Sequence, residues 1–406
     1  MHDVAGPLDG LRVIELASEF GAFAGKLLAD LGADVIVVEP PGGHHTRRYG
    51  PFADDVVDPE KSLWWWHYNT SKRGLVLDLE KLAGADAFRQ LAASADIVLE
   101  AEPPTRLDAL GIDHNHLRAS HAELIWISVT PFGRSSSRAD EPATDLTLLA
   151  AAGQVWSCGY DDHSLAPVRG GGNQALHMAG VFAAISALTA VLYRDTTGHG
   201  QHVDVNMYAA ANVTTEAASY EYLVGERTVQ RLTGRHASTV VSMQTQVQAA
   251  DGKWVTTGFP PRQVSELRSL VAWLTELGLK DDFPEFFFLE MGIERGGIQI
   301  SEIGENPEAT AIFGASRDAM TLIAASLPAY EFFVGAQSRA IPVGIIASIE
   351  EVLADPHAIA RGFPVSVQHD DRTVTYPGAP FKFSSTPWRI SRRAPKIGEH
   401  QADLLG

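Results

Sequence analysis

Two apolar runs enclosing a helical one decide the fold: Leu11-Arg12-Val13-Ile14-Glu15-Leu16, then Lys26-Leu27-Leu28-Ala29-Asp30-Leu31-Gly32, then Ala33-Asp34-Val35-Ile36-Val37-Val38-Glu39. The outer runs are rich in β-branched residues, which suit a pleated, buried backbone. The middle run places apolar residues at helical spacing and closes on Gly32, a residue that accepts the left-handed turn ending a helix. Pro40-Pro41-Gly42-Gly43 terminates the second strand. A strand, a helix and a strand in such a short stretch make a βαβ unit, whose crossover places the two strands parallel.

Outward from this unit, Ala95 to Glu100, Leu124 to Val129 and His202 to Met207 read as further strands. Gly21 and Gly25 after the first strand lack the G-x-G turn of a dinucleotide fingerprint, so a nicotinamide or flavin enzyme is not indicated. From Asp145 to Asn212 the residues are mostly small and helix-forming, interrupted by Arg169-Gly170-Gly171-Gly172. The most apolar segment, Ala179 to Leu192, reads as a buried helix from about Gly180 to Arg194, too short to cross a bilayer. Residues from about 216 to 341 change character, with the clusters Phe286-Phe287-Phe288 and Phe332-Phe333 and amphipathic helical spacing. The expected organisation is a large α/β domain with a parallel sheet over residues 1–215, a smaller α+β domain over 216–341, and a segment, 342–406, returning to the first.

A formal net charge of −18 repels phosphate backbones and argues against nucleic acid partners. The one cysteine, Cys158, excludes an intrachain disulfide framework and fits a reducing cytoplasm. The N-terminus has neither the basic nor the apolar region of a secretory signal, and no membrane association is expected. His44, His45 and His67 have no acid or cysteine at ligand spacing, so no metal is expected. Trp64-Trp65-Trp66 reads as an aromatic packing cluster between chains, ahead of a stack on an adenine or the lining of an acyl pocket, and Ser135-Ser136-Ser137 lacks a nucleophile elbow.

Several blocks in order then carry a resemblance. Pro7 to Leu16, Leu28 to Gly42, Asn69-Thr70-Ser71-Lys72-Arg73 to Leu79, Thr197-Gly198-His199-Gly200-Gln201-His202-Val203-Asp204-Val205, Glu351 to Pro356 and Ala394 to His400 together resemble the class III (CaiB–BaiF type) CoA-transferases. The resemblance implies a nucleotide-fold domain, a small domain and two chains threaded as interlocked rings. It implies CoA transfer between carboxylic acids, with coenzyme A thioester as substrate and no tightly bound cofactor. An aspartate attacks the thioester carbonyl and expels CoA thiolate, giving a mixed anhydride and later an aspartyl-CoA thioester.

Carried over residue by residue, the family aspartate falls on Leu176, which has no nucleophile. Asn173, Gln174 and His177 flank it, and Asp161 and Asp162 are the nearest acids upstream. The family's racemase branch adds a histidine before the "yDl" aspartate, here Asp145, yet Thr144 stands there. The nucleotide loop reads Glu100-Ala101-Glu102-Pro103-Pro104-Thr105, where Glu102 is unwelcome beside a phosphate, and Ala109 replaces a frequent arginine. Arg47, Arg48, Lys72 and Arg73 remain as candidates for the CoA phosphates or as ordinary ion pairs. The expected role is a transferase subunit without the catalytic aspartate, acting on an acyl-CoA and a carboxylic acid beside an aspartate-bearing homologue. The rivals are a homomeric acyl-CoA lyase or isomerase of the same fold and a non-enzymatic CoA-thioester scaffold.

Overall fold

The five strands expected from the sequence form, and with one more they join in a six-stranded parallel sheet. In the computed structural model, which describes residues 5–215, 218–235, 237–240 and 242–405, these are β1 (Arg12–Leu16), β2 (Asp34–Glu39), β3 (Arg73–Val76), β4 (Ile97–Glu100), β5 (Ile125–Thr130) and β6 (His202–Asn206). Their order across the sheet is β3-β2-β1-β4-β5-β6. Ile14 lies between Ile36 and Val98 in register. The order reverses direction between β1 and β4, and in open parallel sheets such a reversal leaves a crevice beyond the carboxyl ends of the strands.

Both faces of the sheet are covered, which is why its strands are continuously apolar rather than alternating. On one face Val13, Val35, Ile97 and Ile127 pack with α1 (Ala22–Asp30). On the other, Ile14, Ile36, Val98 and Trp126 meet Phe88 and Leu91 of α3 (Leu82–Ala93), which follows α2 (Leu63–Tyr68) in the chain. The short helices α4 (Pro104–Ala109), α5 (His114–Ser120) and α6 (Asp145–Ala151) precede α7 (Gln174–Thr197), followed by α8 (Met207–Asn212) and α9 (Ala218–Gly225).

α7 begins at Gln174, six residues before the expected start at Gly180. The Asp145 carboxylate accepts the backbone N–H groups of Ala175 at 2.8 Å and Leu176 at 3.3 Å. These are two of the donors a helix start leaves unpaired, so the helix extends through Leu176. Gly180 lets α7 close on α1, since a Cβ there would stand 2.9 Å from the Phe23 ring. The whole of α7 spans 24 residues and carries a window of mean hydropathy 1.9, long and apolar enough to cross a membrane by length and composition. That corrects the expectation of a short segment. Its small residues Ala175, Ala179, Ala183, Ala187 and Ala190 are buried in the core of this unit.

The chain divides into two compact units: 1–159, 166–228 and 353–406 form one, and 160–165 with 229–352 form the other. The boundaries thus fall at 228 and 352, beyond the expected 215 and 341, because α9 belongs with the sheet-bearing unit and β9 (Gly344–Ile345) pairs with β8 (Trp254–Thr256) of the second. In the second unit β7 (Gln246–Gln248) completes a three-stranded sheet. Around it lie α10 (Val264–Glu276), α11 (Phe286–Arg295), α12 (Pro307–Ser326) and α13 (Ala329–Gln337), whose Leu270, Leu289, Ile312 and Phe332 share one core.

The final segment returns to the first unit. The hairpin of β10 (Pro364–His369) and β11 (Arg372–Pro377) sets His369 against Trp66 at 4.2 Å. Further on, Ser71 donates its N–H to Arg392 O, and His400 donates its N–H to Gly74 O.

Candidate functional site

A cleft of about 560 Å³ opens at the carboxyl ends of β1, β2, β3 and β4, where the strand order reverses. Its floor is apolar, made by Leu16, Val38, Leu77 and Ala101, while His44, His45 and Arg48 stand on one wall. Burial, with the neighbouring His45 and Arg47 charges, pushes His44 down to about 3, so it is neutral at pH 7. On the opposite rim Arg106 of α4 donates to Glu102 at 2.6 Å and to Glu80 at 3.1 Å. The loop beneath offers few donors. The Glu102 N–H is given to Glu100 Oε2 at 2.7 Å, and Pro103 and Pro104 have none.

Glu100 itself is fully buried and accepts from Trp126 Nε1 at 3.2 Å, Arg134 at 3.1 Å and the Ser128 hydroxyl. Burial raises its pKa against those bonds. It anchors the loop rather than facing the cleft.

The basic candidates do not converge on this cleft. Arg47 is 1% exposed, pairs bidentately with Glu39 at 2.7 and 2.8 Å, and lies 3.8 Å over the Trp65 ring. Its remaining N–H groups go to Glu60 at 3.1 Å and Pro395 O at 3.0 Å. Lys72 is wholly buried, and its ammonium meets Glu15 at 2.7 Å and Ala22 O and Asn69 Oδ1 at 3.0 Å. Burial pushes the Glu15 carboxyl up while the Lys72 charge pulls it back. Arg73 forks onto Asp34 at 2.6 and 2.8 Å, at the amino ends of β2 and β3 and therefore at the far edge of the sheet. Of the two expectations for Arg47, Lys72 and Arg73, phosphate contact or ordinary ion pair, the structure shows each engaged in an ion pair with an interior or remote carboxylate. Arg48 is the exposed cation of this group that lines the cleft.

Leu176 is 1% exposed and packs in the core under α7. Around the first turn of that helix the Asn173 amide donates to Tyr68 OH at 3.0 Å, and Tyr68 OH meets His177 Nε2 at 2.8 Å. The Tyr68 hydroxyl thus links the Asn173 amide to the imidazole. Phe23 covers His177 with ring centroids 4.3 Å apart, and burial lowers the imidazole pKa. Asp145 is engaged by the helix amides and by Arg169 at 2.8 Å. Thr144 caps α6 in a reciprocal bond with Thr147. Asp161 and Asp162 lie exposed in a turn of the other unit, the first paired with Arg235 at 2.6 Å and the second accepting from Ser164.

The tryptophans are structural. Trp65 is buried and donates to Pro395 O at 3.0 Å, Trp66 donates to Glu60 O at 2.8 Å, and Trp64 rests on Tyr68. Among the described residues one group has three possible metal ligands close together, Asp108, Asp113 and His116. Asp113 there caps α5.

The model of CoA-transferase family III matches residues 8–287 and 291–401. The chain belongs to CoA-transferase family III. Among relatives of this family, the succinyl-CoA:(R)-benzylsuccinate CoA-transferase subunit BbsE of Thauera aromatica is 33% identical over 97% of this chain and 92% of its own length. The succinate–glutarate CoA-transferase of Agrobacterium fabrum is 31% identical over 98% and 95%. A solved CAIB/BAIF family protein from Brucella suis is 26% identical, with a TM-score of 0.79 and 98% of both chains covered. Family III CoA-transferases act on CoA thioesters, and the expected family and the expected α/β fold of the single chain are found.

Three residues of this region escaped the sequence reading: Glu80, Arg106 and Tyr68. The first two lie 26 positions apart and meet because β3 and β4 end on the same edge of the sheet. The strand order, had it been available, is the signal that joins them.

Proposed function

We propose that this chain is the non-catalytic subunit of a family III CoA-transferase that moves CoA between carboxylic acids, for example from succinyl-CoA to an aromatic succinate. The observation that supports the reading is Leu176, buried in the first turn of α7 at the position onto which the family resemblance carries the aspartate. The acids weighed as substitutes are engaged or remote: Asp145 is held by two amides and Arg169, and Asp161 and Asp162 are surface residues. The partner in this reading is a homologous aspartate-bearing chain, threaded with this one in the cytoplasm. The outer side of α7 offers an apolar face of the kind a subunit covers, with Val181, Ile185 and Leu192 at 42, 55 and 70% exposure.

The test is to purify the chain alone and together with the homologue encoded beside it, then assay transfer from succinyl-CoA. Transfer only by the pair is expected. Turnover by this chain alone overturns the reading in favour of a homomeric enzyme. Hydroxylamine trapping then locates any acyl adduct, and one at Asp161 or Asp162 shows that another carboxylate does the work.

A further inference from the structure

The cleft at the strand reversal is where a nucleotide would sit, yet its chemistry opposes a phosphorylated ligand. Five carboxylates line it, Glu19, Glu39, Asp78, Glu80 and Glu102, against two guanidinium groups, Arg48 and Arg106. Glu39 and Asp78 are offset from behind by Arg47 and Lys81. That leaves three acids facing two arginines, and one of those arginines is bound to two of the acids.

The donors are depleted as well. A phosphate is normally cradled by backbone N–H groups after a parallel strand and by fork-shaped arginines. Here the amide after Ala101 is turned inward to Glu100, and the next two residues are prolines. His44 is neutral and contributes no charge.

We infer that Glu80 and Glu102 are specificity-determining residues of this cleft: by holding Arg106 they exclude the phosphates of CoA from this chain. The inference rests on the non-catalytic reading, in which the partner alone binds the thioester, and it explains how that reading is enforced on this side. The floor of Leu16, Val38 and Leu77 is apolar and the cleft measures about 560 Å³, so the obstacle to a phosphorylated ligand is charge rather than space. Glu80 ends the β3 strand connection and Arg106 sits on α4, so their bond spans the mouth of the cleft from one side of the strand reversal to the other.

The experiment titrates CoA into the full-length chain, wild type and Glu80→Gln/Glu102→Gln, by calorimetry. Both positions are at the rim, and a thermal melt of each protein checks that the variant stays folded. Wild type is expected to bind CoA more weakly than about 1 mM. The double variant should bind at least roughly tenfold tighter, with an affinity that falls as salt is added, because freed Arg106 then meets phosphate directly. Adding Arg106→Gln should abolish the gain. Tight CoA binding by wild type that the double variant leaves unchanged overturns the inference, as does a folded double variant that gains nothing. Neither outcome touches transfer by the two-chain enzyme, so this inference and the subunit reading fail separately.

Discussion

The same residue types stand in two places at one end of the sheet and behave differently. Glu15–Lys72 and Glu39–Arg47 are sealed inside, every charge within 3 Å of its partner and backed by carbonyl or amide groups. Glu80–Arg106–Glu102 lies on the rim, with the side chains of Glu80 and Arg106 at 66 and 43% exposure. Interior pairs cannot be parted without stranding a charge in a low dielectric, so they act as struts. Rim pairs exchange freely with water and salt, so they can be rewired without endangering the fold. A cation in the first setting is lost to ligands, and one in the second is available to them once its partner is removed.

The comparison breaks most clearly at Lys72. Lys72→Met leaves Glu15 buried and unpaired, and urea denaturation should show a loss of about 3–5 kcal/mol. Lys72→Met with Glu15→Leu should recover most of it, and a single variant costing under about 1 kcal/mol would show that the pair is no strut. Next comes Leu176→Asp, which asks the same interior to accept a lone carboxylate. It should cost about 2–4 kcal/mol and give no CoA transfer by this chain alone. Substantial transfer by that variant would mean that the cleft still holds the thioester.

A third test uses pH. Burial, helped by the Lys26 and His177 charges, lowers His67 from 6.5 to about 3. The unfolded chain therefore takes up a proton that the folded chain refuses. This contribution is fully present above pH 6.5 and is lost as the pH falls toward 3, by up to about 1.4 kcal/mol per pH unit. His67→Gln should flatten the acid side of a stability profile measured over that window, and an unchanged slope would place the sensitivity elsewhere. The smallest effect belongs to the rim. Glu80→Gln should shift the unfolding free energy by no more than about 0.5 kcal/mol, and a larger loss would make the Arg106 bridge a strut as well.

Most of the sheet was legible in the sequence because its strands, buried on both faces, are nearly unbroken apolar runs such as Val35-Ile36-Val37-Val38. Their parallel sense followed from the spacing of the first βα unit. The start of α7 was not legible, since the carboxylate that extends it comes from Asp145, thirty positions earlier in the chain. The cations illustrate the same limit. Nothing local to Arg47 or Lys72 announces a buried partner, because Glu39 reaches Arg47 through a turn and Glu15 lies 57 positions from Lys72. The alignment of Leu176 with the family aspartate rests on a count of four residues back from Gly180, at the head of the apolar helix that runs on to the Thr197-Gly198 turn.

The return of the last segment to the first unit has a consequence for how the protein is made. Arg47 and Trp65 both donate to the carbonyl of Pro395, 348 and 330 positions further along the chain. A ribosome adds roughly 5–20 residues per second, so those two side chains wait on the order of 20–70 s for their acceptor. Throughout that interval the nascent domain carries a guanidinium and an indole N–H beside an unfilled seat, and the apolar length of α7 has already emerged. Synthesis rate and chaperone supply thus bear on the yield of folded chain.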